Sequence, residues 1–322
     1  MFALGLQGSP RKKGNSETLL AMFMDALARQ GARVHTIEVC RLKLQPCIEL
    51  TACEKDGFCP LKDEMDKQVY PLLRKADIVV AASPIFFYNV SSQLKALIDR
   101  CQAFWARKYR LKLRDPLASV RRGYLLAVGA SGGRQLFDGV HLTAKYFFDA
   151  IDAAYAGHLT YRNIESRGAI RRHSGVEEDV ARAAADLTTD LRRRRKVLVL
   201  GATGACRSQM AAAFMAGQAA RSLDVTCAGI HPAGKIDDLM AAVMRAKGID
   251  MDFRVPQSVE AAMGGETPEE IITIDAADLP ERWPGVRRLK WDLPPAPKSA
   301  MEEMELLRDR IEAQVKAYIA ML

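Results

Sequence analysis

The chain has 322 residues, 49% hydrophobic and 27% charged, an ordinary balance for a folded protein and enough length to bury more than one core without disulfide staples. Its net charge of +8 lies largely in short basic runs such as residues 192–196 with no nucleic-acid motif beside them, so a solvated face with a bias toward anionic ligands is expected, and no nucleic-acid partner. No apolar run reaches the ~18 residues of a membrane span and the start lacks signal-peptide order, so a cytoplasmic protein without membrane insertion is expected.

Residues 2–6 form a short apolar run, followed by a Gly, Ser, Pro and basic stretch over 7–15. Residues 16–30 have helical periodicity, with Leu19, Leu20, Phe23, Met24 and Leu27 on one face. Residues 33–39 are a second strand candidate. Residues 77–83 (DIVVAAS) are nearly all apolar, as in a central parallel strand covered on both faces. A helix is predicted over 90–100, strands over 124–128 and 158–164, and a helix over 176–194. A new strand–loop–helix begins at residue 196, with further strands at 225–229 and 270–274 and a closing amphipathic helix over 301–321. Strands alternating with helices predict an α/β fold with two doubly wound parallel-sheet domains, residues 1–190 and 196–322.

Three loops of the first domain follow strands. Residues 8–16 (GSPRKKGNS) open a helix, where peptide N–H groups and the helix dipole favour a phosphate, although the loop is neither GxGxxG nor GxxxxGK[ST]. A plain capped turn is the alternative for this loop taken alone. Residues 84–89 (PIFFYN) offer an apolar, aromatic lip and one amide beyond the central strand, where ligands of open α/β sheets sit. Residues 129–133 (GASGG) bring small residues and N–H groups to the same sheet end.

GSPRKKGNSETLL, CIELTACEKDGFCPLKDEM and ADIVVAASPIFFYNVSSQLKALIDR together resemble the NADPH-dependent FMN reductase and iron–sulfur flavoprotein family over residues ~1–185. The resemblance implies a flavodoxin-like fold, FMN as cofactor and NAD(P)H as co-substrate. It implies that Ser9, Arg11, Asn15 and Ser16 hold the FMN phosphate. It further implies that Pro84, Ile85, Phe86, Phe87 and Asn89, with the loop carrying Gly129, Ser131, Gly132 and Gly133, contact the isoalloxazine. No catalytic side chain is expected, because the flavin itself carries the chemistry. A homo-dimer or tetramer is implied, with flavin near a subunit interface.

The seven cysteines are an odd set for a disulfide framework. In the iron–sulfur branch of the family, C-x2-C-x2-C and a later fourth cysteine hold a [4Fe–4S] cluster. Cys47, Cys53 and Cys59 match the first, third and fourth positions, whereas Leu50 stands at the second and has no donor atom for iron. An incomplete iron–sulfur site is the expectation, with Cys40, Glu49 or Glu54 as substitute ligands, or free thiols in an inherited loop.

VLVLGATGACRSQMAAAF, VTCAGIHPAGKID, AKGIDMDFRVPQSV and WPGVRRLKWDLPPAP resemble low-molecular-weight protein tyrosine phosphatases and the related arsenate reductases over residues 196–322. The loop of active members is C-x5-R-S, with a thiolate nucleophile. Here the nucleophile position is Gly201, while Arg207 and Ser208 match and Cys206 matches the cysteine before the arginine. The general-acid aspartate position falls near Pro295, with Asp292 matching another place; Ile274 and Leu279 stand where thioredoxin-coupled members carry further cysteines. A pseudo-phosphatase is expected. Anion binding through Arg207 and Ser208, docking or oligomerisation, and Cys206 as a redox thiol are its open roles.

His35, His141, His158, His173 and His231 are scattered, and structural or surface roles are expected for each. The function expected is FMN-dependent NAD(P)H oxidation with electrons passed to a quinone, flavin, metal or protein acceptor. The alternative is a non-enzymatic flavin sensor or electron-transfer protein whose partner binds the C-terminal domain.

Overall fold

The computed structural model describes residues 1–274 and 282–322. The chain forms two compact units, residues 1–112 with 120–192, and residues 113–119 with 193–322. The boundary is thus not the single cut expected near 190, because a seven-residue piece from within the first stretch belongs to the second unit.

The first unit contains β1 (Phe2–Gln7), α1 (Asn15–Arg29), β2 (Arg33–Glu38), the short α2 (Cys53–Asp56), α3 (Tyr70–Lys75), β3 (Ile78–Pro84), α4 (Ser92–Arg100), the short α5 (Gln102–Trp105), β4 (Arg122–Val128), α6 (Asp138–Ala150), β5 (Ala154–Tyr161) and α7 (Val176–Thr188). All five strands are parallel in the order β2-β1-β3-β4-β5. That is the flavodoxin-like order, whose topological switch point lies between β1 and β3. β1 is buried at every residue, and β3 and β4 at all but one, as strands with helices on both faces should be. α1 packs Leu19, Leu20, Phe23, Met24, Ala26 and Leu27 inward. Phe23 stacks on Tyr124 of β4, with ring centroids 4.9 Å apart. The Asp77 carboxylate accepts the Phe2 N–H at 2.7 Å and pins the start of β1 beside β3. Gly123 is required by close approach, since a Cβ there would lie 2.2 Å from the Phe148 ring.

The last strand departs from expectation. It runs over Ala154–Tyr161 rather than 158–164, and pairs with β4 through a register shift at Gly123/Tyr124. This edge strand is half-exposed, and Gly157 sits at φ +148°, so its apolar pattern is broken where the strand begins. The helix expected to reach 194 ends at Thr188, and Leu191–Arg193 forms a separate turn.

The second unit holds β6 (Arg195–Gly201), α8 (Arg207–Ala219), β7 (Leu223–Gly229), α9 (Asp238–Ala246), α10 (Val259–Met263), β8 (Glu270–Ile274), β9 (Arg287–Trp291) and α11 (Met301–Ile319). Its four parallel strands run in the order β7-β6-β8-β9. α8 is buried continuously from Ser208 to Ala216, while α11 buries Met304, Leu307, Ile311, Val315 and Tyr318, a helical stripe. Asp237 and Ser258 cap α9 and α10 by accepting the N–H groups of Met240 and Ala261. β9 (RRLKW) was not expected from sequence, because an edge strand with three exposed positions carries no apolar run. Residues 113–119 join this unit through Arg114, whose N–H donates to Gly248 O at 2.8 Å and whose carbonyl accepts from Asp250 N–H at 2.9 Å. Among the described residues no helix is long and apolar enough to cross a membrane.

Candidate functional site

The three expected loops meet at the carboxyl ends of β1, β3 and β4. Gly8 follows β1 directly; its N–H donates to Ala82 O at 2.8 Å, and its carbonyl accepts from Ser91 Oγ at 2.5 Å. A Cβ at Gly8 would stand 2.8 Å from Leu94 Cβ and 2.9 Å from Ala82 O, so only glycine fits. Ser91 also caps α4 by accepting the Leu94 N–H, and its own N–H donates to Ser83 Oγ at 2.9 Å. Ser83 in turn donates to Pro84 O at 2.7 Å. Both serines are wholly buried and lock the first loop to the second. Sequence reasoning passed over them, although a Ser–Ser pair opening a helix was a visible capping signal.

The phosphate loop leaves the start of α1 uncapped by any side chain, with Gly14 as N-cap. The first-turn N–H groups of a helix have no partner inside it, and this helix is long enough to carry a useful dipole. Ser9 closes the loop by accepting the Arg11 N–H at 3.3 Å, Ser16 is buried beneath it, and Arg11 is exposed above it. The Asn15 amide donates to Ser166 O at 2.9 Å and accepts from Ile170 N–H at 3.3 Å. Asn15 therefore ties α1 to residues 166–170.

The second loop is a two-residue hairpin. Phe86 and Asn89 exchange backbone bonds of 2.9 and 3.0 Å, and Phe87 and Tyr88 between them lie at φ +47° and +63°. Two left-handed residues make a type I′ turn, a place that favours Asn-Gly and strains two aromatics. Phe87 is fully exposed, and Phe86 and Tyr88 are about half exposed. Pro84 and Ile85 are partly covered beneath them. The Asn89 carbonyl oxygen accepts from Val90 N–H at 2.8 Å and Thr143 Oγ1 at 3.0 Å, so it shapes the turn and fixes α6.

The third loop reaches the second, since a Cβ on Gly133 would lie 3.2 Å from the Tyr88 hydroxyl. Gly129 is fixed on both sides, donating to Tyr161 O and accepting from Ile164 N–H. Arg162 donates to Gly133 O at 2.9 Å, and Ser131 and Gly132 are exposed. The residues thus form a cradle with an uncapped helix start at one end and an apolar lip at the other. This fits FMN, which has a phosphate at one end and a flat ring system at the other.

The cysteine segment is held from outside by arginines. Buried Arg100 donates to Gln45 O at 2.8 Å, to Leu61 O at 3.1 Å, and to both Asp63 oxygens at 2.7 and 3.2 Å. Burial alone would raise the Asp63 carboxyl, but bonds from Arg100 and from the Gln45 and Met65 N–H groups hold it below its ordinary value. Arg107 donates to Gly57 O at 3.1 Å and lies 4.8 Å over the Phe58 ring. Cys47, Cys53 and Cys59, with Leu50, line one cavity of about 370 Å³. Burial, and then the neighbouring Cys59 and Cys47 thiols, push the Cys53 thiol up. Cys40 lies in the turn Val39–Arg41 and is not among the residues lining that cavity. Among the described residues, no group of three or more His, Cys, Asp or Glu side chains is gathered to hold a single metal ion.

Sequence reasoning treated the histidines as isolated, yet His141 and His158 meet with ring centroids 4.1 Å apart, and His141 Nδ1 lies 2.9 Å from the Tyr155 hydroxyl. Burial lowers both imidazoles, and a charge on His158 would lower His141 further.

In the second unit the loop after β6 is tied to residues 230–237 through its carbonyls. Gly201, Ala202, Thr203 and Ala205 accept from the N–H groups of Ile230, His231, Ala233 and Asp237. Ser208 fills the space beside Gly201, where a Cβ would lie 2.8 Å from its Oγ. The Arg207 guanidinium donates to Leu293 O at 3.2 Å and Pro294 O at 2.9 Å. Cys227, on β7, is pushed up to about 11 by burial, against the opposing bond from Ser208. Cys206 stands at the start of α8, 4.0 Å from Met304 Sδ. Pro295 and Asp292 are exposed, Ile274 ends β8 in the core, and Leu279 lies outside the described residues.

Known proteins share both halves. Residues 1–161 match the NADPH-dependent FMN reductase family, and residues 196–322 the low molecular weight phosphotyrosine protein phosphatase family. An iron–sulfur flavoprotein of Methanocaldococcus jannaschii is 34% identical over 137 residues, 42% of this chain and 66% of that protein, a little under two thirds of its length. An iron–sulfur flavoprotein of Methanosarcina thermophila is 32% identical over 172 residues, 51% of this chain and 85% of that protein. A solved thioredoxin-dependent arsenate reductase of Corynebacterium glutamicum is 21% identical with a TM-score of 0.34, covering 46% of this chain and 75% of that one. With half its length matched, the chain belongs to the NADPH-dependent FMN reductase family.

Proposed function

We propose that the protein is an FMN-dependent NAD(P)H oxidoreductase that delivers electrons to a quinone, free flavin, metal or protein acceptor. The observation that carries this reading is the cradle at the carboxyl ends of β1, β3 and β4, locked by the Ser83–Ser91–Gly8 bonds. Ser9, Ser16, Arg11 and the uncapped α1 N-terminus hold the phosphate of FMN. The 84–89 hairpin and the 129–133 loop flank the ring system, and Asn15 and Asn89 support these loops from behind. FMN, when bound, supplies hydride acceptance and electron release, so the side chains need only bind, orient and exclude water. Exposed Phe87 and Tyr88, with Leu142 and Tyr146 on α6, support a homo-dimer or tetramer.

The second unit is read as a phosphatase fold without the reaction. Gly201 supplies no nucleophile, Pro295 supplies no proton, and Arg207 is held by the 293–294 carbonyls. Anion binding by the loop with Arg207 and Ser208, which keep the family's positions, is a retained capacity in this reading.

Steady-state NADPH and NADH oxidation by the full chain with added FMN, offered quinone, ferric and free-flavin acceptors, tests the reductase reading. FMN-dependent turnover with at least one acceptor is expected, and none with any of them contradicts it. Hydrolysis of p-nitrophenyl phosphate should be at background, and turnover abolished by Cys206→Ser would contradict the inactive second unit.

A further inference from the structure

β4 and β5 do not pair residue for residue. Gly123 pairs with Tyr155 and Tyr124 with Gly157, so Ala156 is an extra residue in the edge strand. A bulge of this kind re-aims the side chains beside it. Gly157 follows at φ +148°, and a Cβ there would lie 2.9 Å from the Tyr124 ring. The missing side chain lets that ring lie against β5, with Phe23 of α1 stacked on it. Tyr124 is only 7% exposed, yet its hydroxyl makes no hydrogen bond among the described residues.

Tyr124 lines a cavity of about 320 Å³ between β5 and α7, within the size range of small-molecule sites. Leu159, Leu187 and Ala183 give it apolar walls, and Asp179, Asp186 and Arg182 give it charge. The charges do not cancel. Asp179 is paired with Arg182 at 2.5 Å and accepts from the Tyr161 hydroxyl at 3.0 Å. Arg122, a further cation bonded to the backbone of α7, is committed to Asp190 at 2.9 Å. The Asp186 carboxylate has no ion pair among the described residues. His158 also lines the cavity, and burial lowers its imidazole, so it carries no charge at neutral pH. Burial, and next Asp186 and Asp179, push the Tyr124 phenol up to about 12, so it stays protonated. Two carboxylates against one guanidinium leave one negative charge over, on a chain whose net charge is +8.

We infer that this cavity is a binding site for a small organic monocation, a primary ammonium group on a short apolar body. The ammonium donates to the Asp186 carboxylate and to the Tyr124 hydroxyl oxygen, and the body lies against Leu159, Leu187 and Ala183. An ammonium has three donors and no acceptor, which suits a site whose open groups are a carboxylate and a phenol oxygen. An anion of the same size would meet the uncompensated Asp186. The site is separate from the flavin cradle: Tyr124 stands in the amino-terminal half of β4, whereas the cradle lies beyond the carboxyl end of that strand. The inference does not rest on flavin chemistry, so its test and the reductase test fail separately.

Leucine-methyl NMR of the full chain, titrated with n-butylammonium chloride at constant ionic strength, reads the site through Leu159 and Leu187. Saturable shifts confined to these methyls and their neighbours are expected, with a Kd on the order of a millimolar. Asp186→Asn should weaken binding at least about tenfold, and Tyr124→Phe, which keeps the ring on Phe23, about fivefold. Methyl shifts elsewhere and FMN content should be unchanged in both variants, which separates loss of the site from loss of the fold. Butyrate, a similar body with an anionic head, should leave Leu159 and Leu187 unmoved. No saturable shift with butylammonium, equal shifts with butyrate or with potassium chloride alone, or an unaltered Kd in Asp186→Asn would each overturn the cation site.

Discussion

Ser91 makes three bonds at once: to the Gly8 carbonyl, to the Leu94 N–H and, through its own N–H, to Ser83. Ser91→Ala removes the cap of α4 and strands the Gly8 carbonyl, at a cost of about 1–3 kcal/mol. The expected result is a lower Tm together with weaker FMN binding; an unchanged Tm would show that the bonds are replaced by other contacts. Phe87 and Tyr88 lead to the opposite balance. Replacing the pair by Asn-Gly suits the type I′ turn and should stabilise the first unit by about 1–2 kcal/mol while weakening FMN retention. Denaturant titration with FMN release reads both, and tighter retention of FMN would contradict a role for the aromatics. The His141–His158 contact sets a pH response. Both imidazoles have folded values below their unfolded value, so the unfolded chain binds more protons and stability rises with pH through that range. Thermal stability should fall as pH drops below the ordinary histidine value, and His158→Gln should flatten that slope. Sequence alone showed the aromatic lip and the phosphate loop but not these residues' actual partners. Gly8 and Ser91 are 83 positions apart, and Asn15 meets Ser166 across 151, so nothing local signals either bond.

At the scale of elements, the buried strands were legible and the edges were not. β1, β3 and β6 are covered on both faces and read as apolar runs. β5 and β9 lie at sheet edges, half exposed, and their sequences AYAGHLTY and RRLKW show neither a run nor a clean alternation. The cysteine segment was legible as chemistry but not as architecture, because its holders, Arg100 and Arg107, come from after α3, 37 and 50 positions from the groups they hold. Arg100→Ala removes a buried cation from Asp63 and two carbonyls, which should cost about 3–5 kcal/mol. Amide exchange should quicken across residues 42–64 before it does in β1 or β3; uniform quickening across the unit would contradict a local clamp.

The whole molecule is two parallel-sheet units, and the piece of chain at 113–119 completes the second. Its Arg114 bridges to Gly248 and Asp250, and Asp115 lies 3.7 Å from Arg254. Residues 193–322 expressed alone should therefore unfold at a lower temperature than the same unit in the full chain, and equal Tm values would show that the 113–119 piece adds nothing. Two starts of one architectural theme were visible in sequence, at residues 2 and 196, but a seven-residue exchange between them has no signature in composition or period. The loss of the phosphatase nucleophile was readable at Gly201. What sequence did not show is that Arg207 is engaged by the 293–294 carbonyls. The central claim concerns the first unit, and anaerobic mixing of the FMN-loaded chain with NADPH or NADH tests it most directly. The flavin absorbance should bleach within minutes with at least one of the two, and a flavin that stays oxidised with both would contradict the account.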